Sequence, residues 1–253
     1  MKTAPIALCA TALGAACSGA PPCPPCPDCP AVEAAEVEPE PDQAQAAADA
    51  PESSTPLPPA VPGERVELPA PKKSGGEPLM EALAARQSTR QYADRPIGLE
   101  RLSRLLWAAT GVSREDSGKR TAPTARDRRD LTVYVAAASG LFYYLPDEHA
   151  LEAVKAADVR AATGKQEFVA DAPINLVYVS DLSVMGDTPL EQRHLYAGSH
   201  AGFVAQNVYL FCASEGLATV VRAYFDRDAL TAALDLGPDQ LVVLAQTIGH
   251  PAQ

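Results

Sequence analysis

Aromatic side chains make up only 6% of the 253 residues, with a single tryptophan, and 21 Lys and Arg stand against 32 Asp and Glu. The formal charge of −11 argues against a nucleic-acid partner, because phosphate binding leans on clustered basic residues. The one basic cluster, Arg126, Arg128 and Arg129, is too short to reverse that balance. Beyond residue 30 there is one cysteine, Cys212, which reads as a core thiol. There is no internal repeat, no glycine-rich dinucleotide fingerprint, and no nucleophile or acid–base constellation.

What is present is unevenly spread. Sixteen of the 24 prolines precede residue 77, and five of the six cysteines precede residue 30. Residues 18–76 carry ten acidic and three basic side chains, whereas 77–253 carry 22 and 17. The two regions obey different rules and are read separately.

Residues 1–16 read as an export signal, with Lys2 as a one-charge start and an apolar run at 6–16 too short to cross a bilayer as a mature helix. The run ends Leu13-Gly14-Ala15-Ala16-Cys17-Ser18, which resembles a lipoprotein signal of Gram-negative type. That resemblance implies a signal peptide over 1–17, lipidation at Cys17, and a membrane-anchored lipoprotein on the periplasmic or cell-envelope face. Gly14 stands where leucine is usual, and an ordinary cleaved secretory signal is the alternative. No twin-arginine precedes the apolar run, so Sec-type export is expected.

Cys23, Cys26 and Cys29 follow at CxxCxxC spacing within PPCPPCPDCP. A metal half-site is one reading, but a fourth ligand is missing and the prolines favour an extended conformation. Disulfides among these thiols, or to another chain, fit an oxidising compartment better. Residues 31–76 hold almost no aromatic or large aliphatic side chains, so 18–76 reads as a disordered Pro/Ala/Glu-rich tether.

From residue 77 the pattern changes. Helices are expected over 78–88, Leu99–Thr110, 191–215 and 226–234, and strands over Leu131–Ala137, 141–144, 174–180, 217–222 and 241–248. The helix at 191–215 is almost wholly apolar from 201 to 213 and should lie centrally. Helices packed on a sheet of four or five strands give an α+β domain over 77–253. His194 and His200 read as surface or capping residues.

Within residues 85–92, Ala-Arg-Gln-Ser-Thr-Arg-Gln-Tyr, the five residues 86–90 set two guanidiniums and two hydroxyls where the first helix ends. Arginine forks match phosphate oxygens, and short hydroxyls fill the remaining acceptors. A solvated helix end looks the same. The motif gains weight from its surroundings: ARQSTRQYADRP at 85–96, RLLWAATG at 104–111, KRTAPTA at 119–125, ASEGLAT at 213–219 and QTIGHP at 246–251. In this order they resemble the nitroreductase family, especially its SagB-like and azoline-oxidase-like dehydrogenase branch, over essentially all of 77–253.

The resemblance implies a mixed sheet packed by helices in an intertwined homodimer, with FMN at the subunit interface. It implies that Arg86, Gln87, Ser88 and Arg90 hold the FMN phosphate and ribityl chain. Pro123, Thr124, Ala125 and Asp127 would cover the flavin of the partner subunit, and the backbone of Glu215, Gly216 and Leu217 would meet the isoalloxazine edge. Lys165 would reach the flavin pyrimidine or remain a solvated lysine. After Pro251 come only Ala252 and Gln253, so the basic residue some relatives place there has no counterpart. Arg222 would take over its phosphate contact or form a structural salt bridge.

Family likeness further implies two-electron ping-pong transfer, from NAD(P)H or another reduced donor to a small-molecule acceptor, with the cofactor carrying the chemistry. Asp127 departs from a common asparagine, exchanging an amide for an acceptor-only carboxylate. A flavin-binding scaffold without turnover and a peptide azoline-type dehydrogenase are the competing readings.

Overall fold

The computed structural model describes residues 55–252. The lipidation candidate Cys17, the CxxCxxC cysteines and tether residues 18–54 lie outside them. In chain order the elements are β1 (Arg65–Glu67), α1 (Leu79–Ala85), α2 (Leu99–Thr110), β2 (Val112–Arg114), β3 (Lys119–Arg120), β4 (Leu131–Ala137), β5 (Gly140–Leu145) and β6 (Ala150–Lys155). There follow α3 (Phe168–Asp171), β7 (Ile174–Asp181), α4 (Leu190–Ser214), β8 (Ala218–Arg222), α5 (Arg227–Ala233) and β9 (Gln240–Gly249). A seven-stranded antiparallel sheet runs β1-β6-β5-β4-β7-β9-β8, and β2 and β3 form a separate ribbon. The architecture is α+β, a large sheet packed by helices.

The apolar run of β7 follows from its position. Leu176 and Tyr178 point into a core shared with α2 and α4, while Val177 and Val179 point into a second core that includes Leu230 of α5. Successive strand residues alternate faces, so a strand covered on both sides loses its polar half. α4 buries Ala197, His200, Ala201, Val204, Ala205, Val208, Tyr209 and Cys212, a stripe at helical spacing. Its opposite side exposes Leu195 and Phe203, 64% and 46% accessible. Among the described residues no helix is long and apolar enough to cross a membrane.

Three expectations need correction. The sheet has seven strands rather than four or five, because β1 and β6 went unrecognised. His200 is buried, not a surface or capping residue. Residues 55–76 are not tether: β1 pairs with β6, Ala60 and Leu68 are buried, and Leu57 and Val66 pack on the core. The Leu99 N–H donates to Thr55 O, and the Ser103 hydroxyl donates to Pro69 O at 2.6 Å. Prolines are tolerated there because this strand lies at a sheet edge and connects through turns, where few amide donors are needed. Gly140 provides room for the strap, since a Cβ on it would stand 2.5 Å from Ala60 Cβ and Lys155 O. We call residues 55–76 the strap.

Candidate functional site

α1 ends at Ala85, and the chain leaves in an extended conformation through the arginine-rich segment. Thr89 N–H donates to Thr219 O, Ala93 N–H to His250 O, and Tyr92 forms a bridge with Pro251. The loop is thereby held against β8 and the end of β9. The Arg86 guanidinium lies over the Tyr209 ring, 5.3 Å from its centre, and Ser88 Oγ meets the Tyr209 hydroxyl at 2.8 Å. Among the described residues neither Arg86 nor Arg90 has a carboxylate partner. Gln87, Ser88 and Arg90 are exposed and Arg86 is half-buried.

Glu215, Gly216 and Leu217 join α4 to β8. Leu217 N–H donates to Cys212 O at 2.8 Å, and Gly216 takes φ +64°, the left-handed close of a helix end. Gly216 is exposed, and the space a Cβ would fill is open. The Glu215 carboxylate turns to Arg104. What this turn can offer a ligand is therefore backbone. The Arg86 guanidinium and the Ser88 hydroxyl, both against Tyr209 of α4, form with Arg90 a donor set suited to a phosphorylated ligand, and α4 runs on to the open Gly216 turn.

A cleft of about 450 Å³ is lined by Glu215, Trp107, Phe211, Arg104, Ser214 and the strap residues Lys72 and Lys73. Sequence reading missed it, because Lys72 and Lys73 had been placed in a tether. The pairing of Glu77 N–H with Ser214 Oγ at 2.7 Å, which closes one wall, leaves no mark in composition.

The other anticipated residues lie elsewhere. Pro123, Thr124, Ala125 and Asp127 form a loop before β4, and Ala125 N–H donates to His200 Nε2 at 2.8 Å. That contact is nine residues, roughly 13 Å, back along α4 from Tyr209. Asp127 is exposed, and Arg129 donates to both its oxygens at 3.2 and 3.1 Å, holding its carboxyl below the usual range. Lys165 is exposed, with its Nζ 5.9 Å from the centre of the Tyr224 ring.

Arg222 corrects both expectations made for it. It is 5% exposed, and its guanidinium donates to Thr163 O, Asn175 Oδ1 and Thr247 Oγ1, all neutral. Burial pushes its pKa down to about 10. Its donors are taken up, and among the described residues it is not half of a salt bridge. Gly164 has to be glycine beside it, since a Cβ would overlap the guanidinium.

The fold defines a class of α+β protein in which a large antiparallel sheet is packed by helices. The defining pattern of the Nitroreductase family matches residues 83–250. A Methanocaldococcus jannaschii protein assigned as a nitroreductase is 34% identical over 165 residues, 59% of this chain and 81% of its own. A crystal structure from Ralstonia eutropha, assigned likewise, is 42% identical with a TM-score of 0.73, covering 78% of this chain and 95% of that one. A chain of the E. coli microcin synthetase complex shares the fold at 17% identity and TM-score 0.58, over 74% of this chain and 79% of its own. The chain belongs to the nitroreductase family.

Proposed function

We propose that the chain is an FMN-dependent oxidoreductase passing two electrons from a reduced donor such as NAD(P)H to a small-molecule acceptor by ping-pong turnover. The observation that carries this reading is the pair of guanidiniums, Arg86 and Arg90, without a carboxylate partner among the described residues, with Arg86 and Ser88 held against Tyr209 of α4, the helix that leads into the open Gly216 turn. Arg86, Gln87, Ser88 and Arg90 would hold the phosphate and ribityl chain, and Glu215, Gly216 and Leu217 would line the ring edge with backbone. FMN, when bound, supplies the two-electron chemistry.

Tyr209 prepares this set. Its oxygen accepts from Val221 N–H at 2.9 Å, so its own proton can pass to Ser88 Oγ, leaving the Ser88 proton for an anionic oxygen.

A homodimer completes the site in this reading. The Pro123–Thr124–Ala125 loop lies too far along α4 to reach its own Arg86 cradle, and exposed Leu195 and Phe203 flank Gly198 and Gly202 on the uncovered side of that helix. A second copy would cover that face and bring the loop, with Asp127, over the partner's flavin. Lys165 would approach the pyrimidine side. The proposal extends to the N-terminal region: residues 1–17 as lipoprotein signal, Cys17 as lipidated anchor, and 18–54 as tether to a membrane on the periplasmic or cell-envelope face.

The test is an FMN titration of the mature chain, followed by anaerobic mixing with NADPH and NADH. Saturable FMN binding and bleaching of the flavin band are expected. No binding would sink the proposal. Binding without reduction by either nucleotide would favour the scaffold reading, which the commitment of Asp127 to Arg129 supports, or the azoline-type reading if an azoline peptide is oxidised instead.

A further inference from the structure

The chain between Thr124 and Asp130 carries local strain. Arg126, Asp127 and Arg129 have φ of +57°, +54° and +51°, in the left-handed region that is costly for a residue other than glycine. Such a loop keeps its shape only if surrounding contacts over-determine it. Arg128 donates to Met185 O and Thr188 Oγ1, and Arg129 N–H donates to Thr124 Oγ1 at 3.1 Å. One further contact runs from the loop into the buried core: Ala125 N–H to His200 Nε2.

His200 is 3% exposed, and its ring stacks on Tyr196 with 3° between the planes. An amide N–H can only donate, so Nε2 must present its lone pair and Nδ1 must carry the proton. That proton faces Asp130 Oδ1 at 2.6 Å. The other Asp130 oxygen accepts from the Ser180 hydroxyl at 2.7 Å, and Asp130 O accepts from Asp181 N–H on β7. A fully buried carboxylate thus fixes one tautomer and one ring orientation. Burying a carboxylate is costly unless its hydrogen bonds are complete, so core packing alone does not explain its presence.

We infer that His200, oriented by Asp130, is the positioning residue for the Pro123–Thr124–Ala125 loop and through it for the flavin. The inference rests on the flavoprotein reading for the flavin and on the geometry alone for the loop. His200 does not touch the reacting atoms. It sets where the loop's backbone and Thr124 hydroxyl stand.

The experiment compares the full mature chain with His200→Phe, which removes the acceptor, and His200→Gln, whose carbonyl oxygen can accept from Ala125 while its amide donates to Asp130. Without FMN, tryptic cleavage after Arg126 should rise about five- to tenfold in His200→Phe, the effect of losing one hydrogen bond, and stay near wild type in His200→Gln. With FMN, the midpoint potential should shift in His200→Phe and return in His200→Gln, which a purely structural role would not produce. Ala125→Pro deletes the donor from the exposed side and leaves the core intact; Thr124, at φ −130° and ψ 149°, suits a following proline. Its potential should move as in His200→Phe.

Equal cleavage in wild type and His200→Phe overturns the clamp. Faster cleavage with an unmoved potential in both His200→Phe and Ala125→Pro overturns its role at the flavin. If the wild type binds no FMN, the flavoprotein reading falls, the flavin half of this inference falls with it, and cleavage still decides the clamp.

Discussion

Ser88 and Tyr209, 121 residues apart in sequence, meet at 2.8 Å between hydroxyl oxygens. Through that contact the loop after α1 is attached to α4, and through Val221 N–H to β8. Tyr209→Phe should destabilise the chain by about 1–3 kcal/mol, because the Val221 donor loses its partner in a partly buried place. Urea denaturation measures it, and unchanged stability would show that water replaces the hydroxyl.

Arg86→Ala should weaken FMN binding about tenfold or more, the scale of a lost charge-assisted contact. Fluorescence titration reads the change directly. Unaltered affinity would remove Arg86 from the phosphate site while leaving its ring contact with Tyr209 as its role.

Leu68→Ala should cost about 2–5 kcal/mol, because Leu68 is a buried member of the main core. A chain started near residue 75 should likewise melt well below the full mature protein. Equal melting temperatures would mean that the strap only rests on the sheet.

His149 joins the strap to the body. Its Nε2 contacts Ser103 Oγ at 2.7 Å and Pro69 O at 3.2 Å, and the Tyr144 hydroxyl donates to Nδ1 at 2.8 Å. Burial lowers its pKa from the ordinary 6.5. The unfolded chain therefore binds a proton that the folded chain resists, so stability is full above the ordinary value and declines as pH falls below it. Melting temperature should drop between pH 7 and pH 5. His149→Asn, tolerated at φ +50°, should flatten that part of the profile. An identical slope in both proteins would assign the acid sensitivity to another group.

In the proposed dimer Asp127→Asn should raise the flavin midpoint potential, since it removes a negative charge and leaves Arg129 only its 3.9 Å contact with Asp147. A lower potential would contradict the dimer placement, and an unchanged one would place the loop in solvent.

Elements with an uninterrupted period were legible in the sequence. Leu99–Thr110 has the bounds read from its leucine spacing, and β4, β7 and α4 stand within one residue of theirs. The Arg86–Arg90 cradle was legible because its residue types are themselves the chemistry. β6 was not, since Ala-Leu-Glu-Ala-Val-Lys is too polar and too weakly alternating to stand out. β1 is three residues among prolines, and only pairing with a strand 85 positions away makes it one. His200 escaped for the same reason: Asp130, which explains it, lies 70 residues earlier in the loop before β4. Arg222 was misjudged because a buried arginine with neutral acceptors has the same letter as a surface one.

The strap's place at the end of the sheet has a consequence for solubility. With β1 in place, one border of the seven-stranded sheet is only three residues long, carries Arg65 and Glu67, and lies between Pro62 and Pro69. Short, charged, proline-flanked borders resist pairing with other chains. Remove them and β6 becomes the border: six residues, including Leu151 and Val154, with a row of vacant amides and carbonyls. A chain cut at residue 75 would then be a template for its own neighbours and should precipitate with time and concentration even where it still folds.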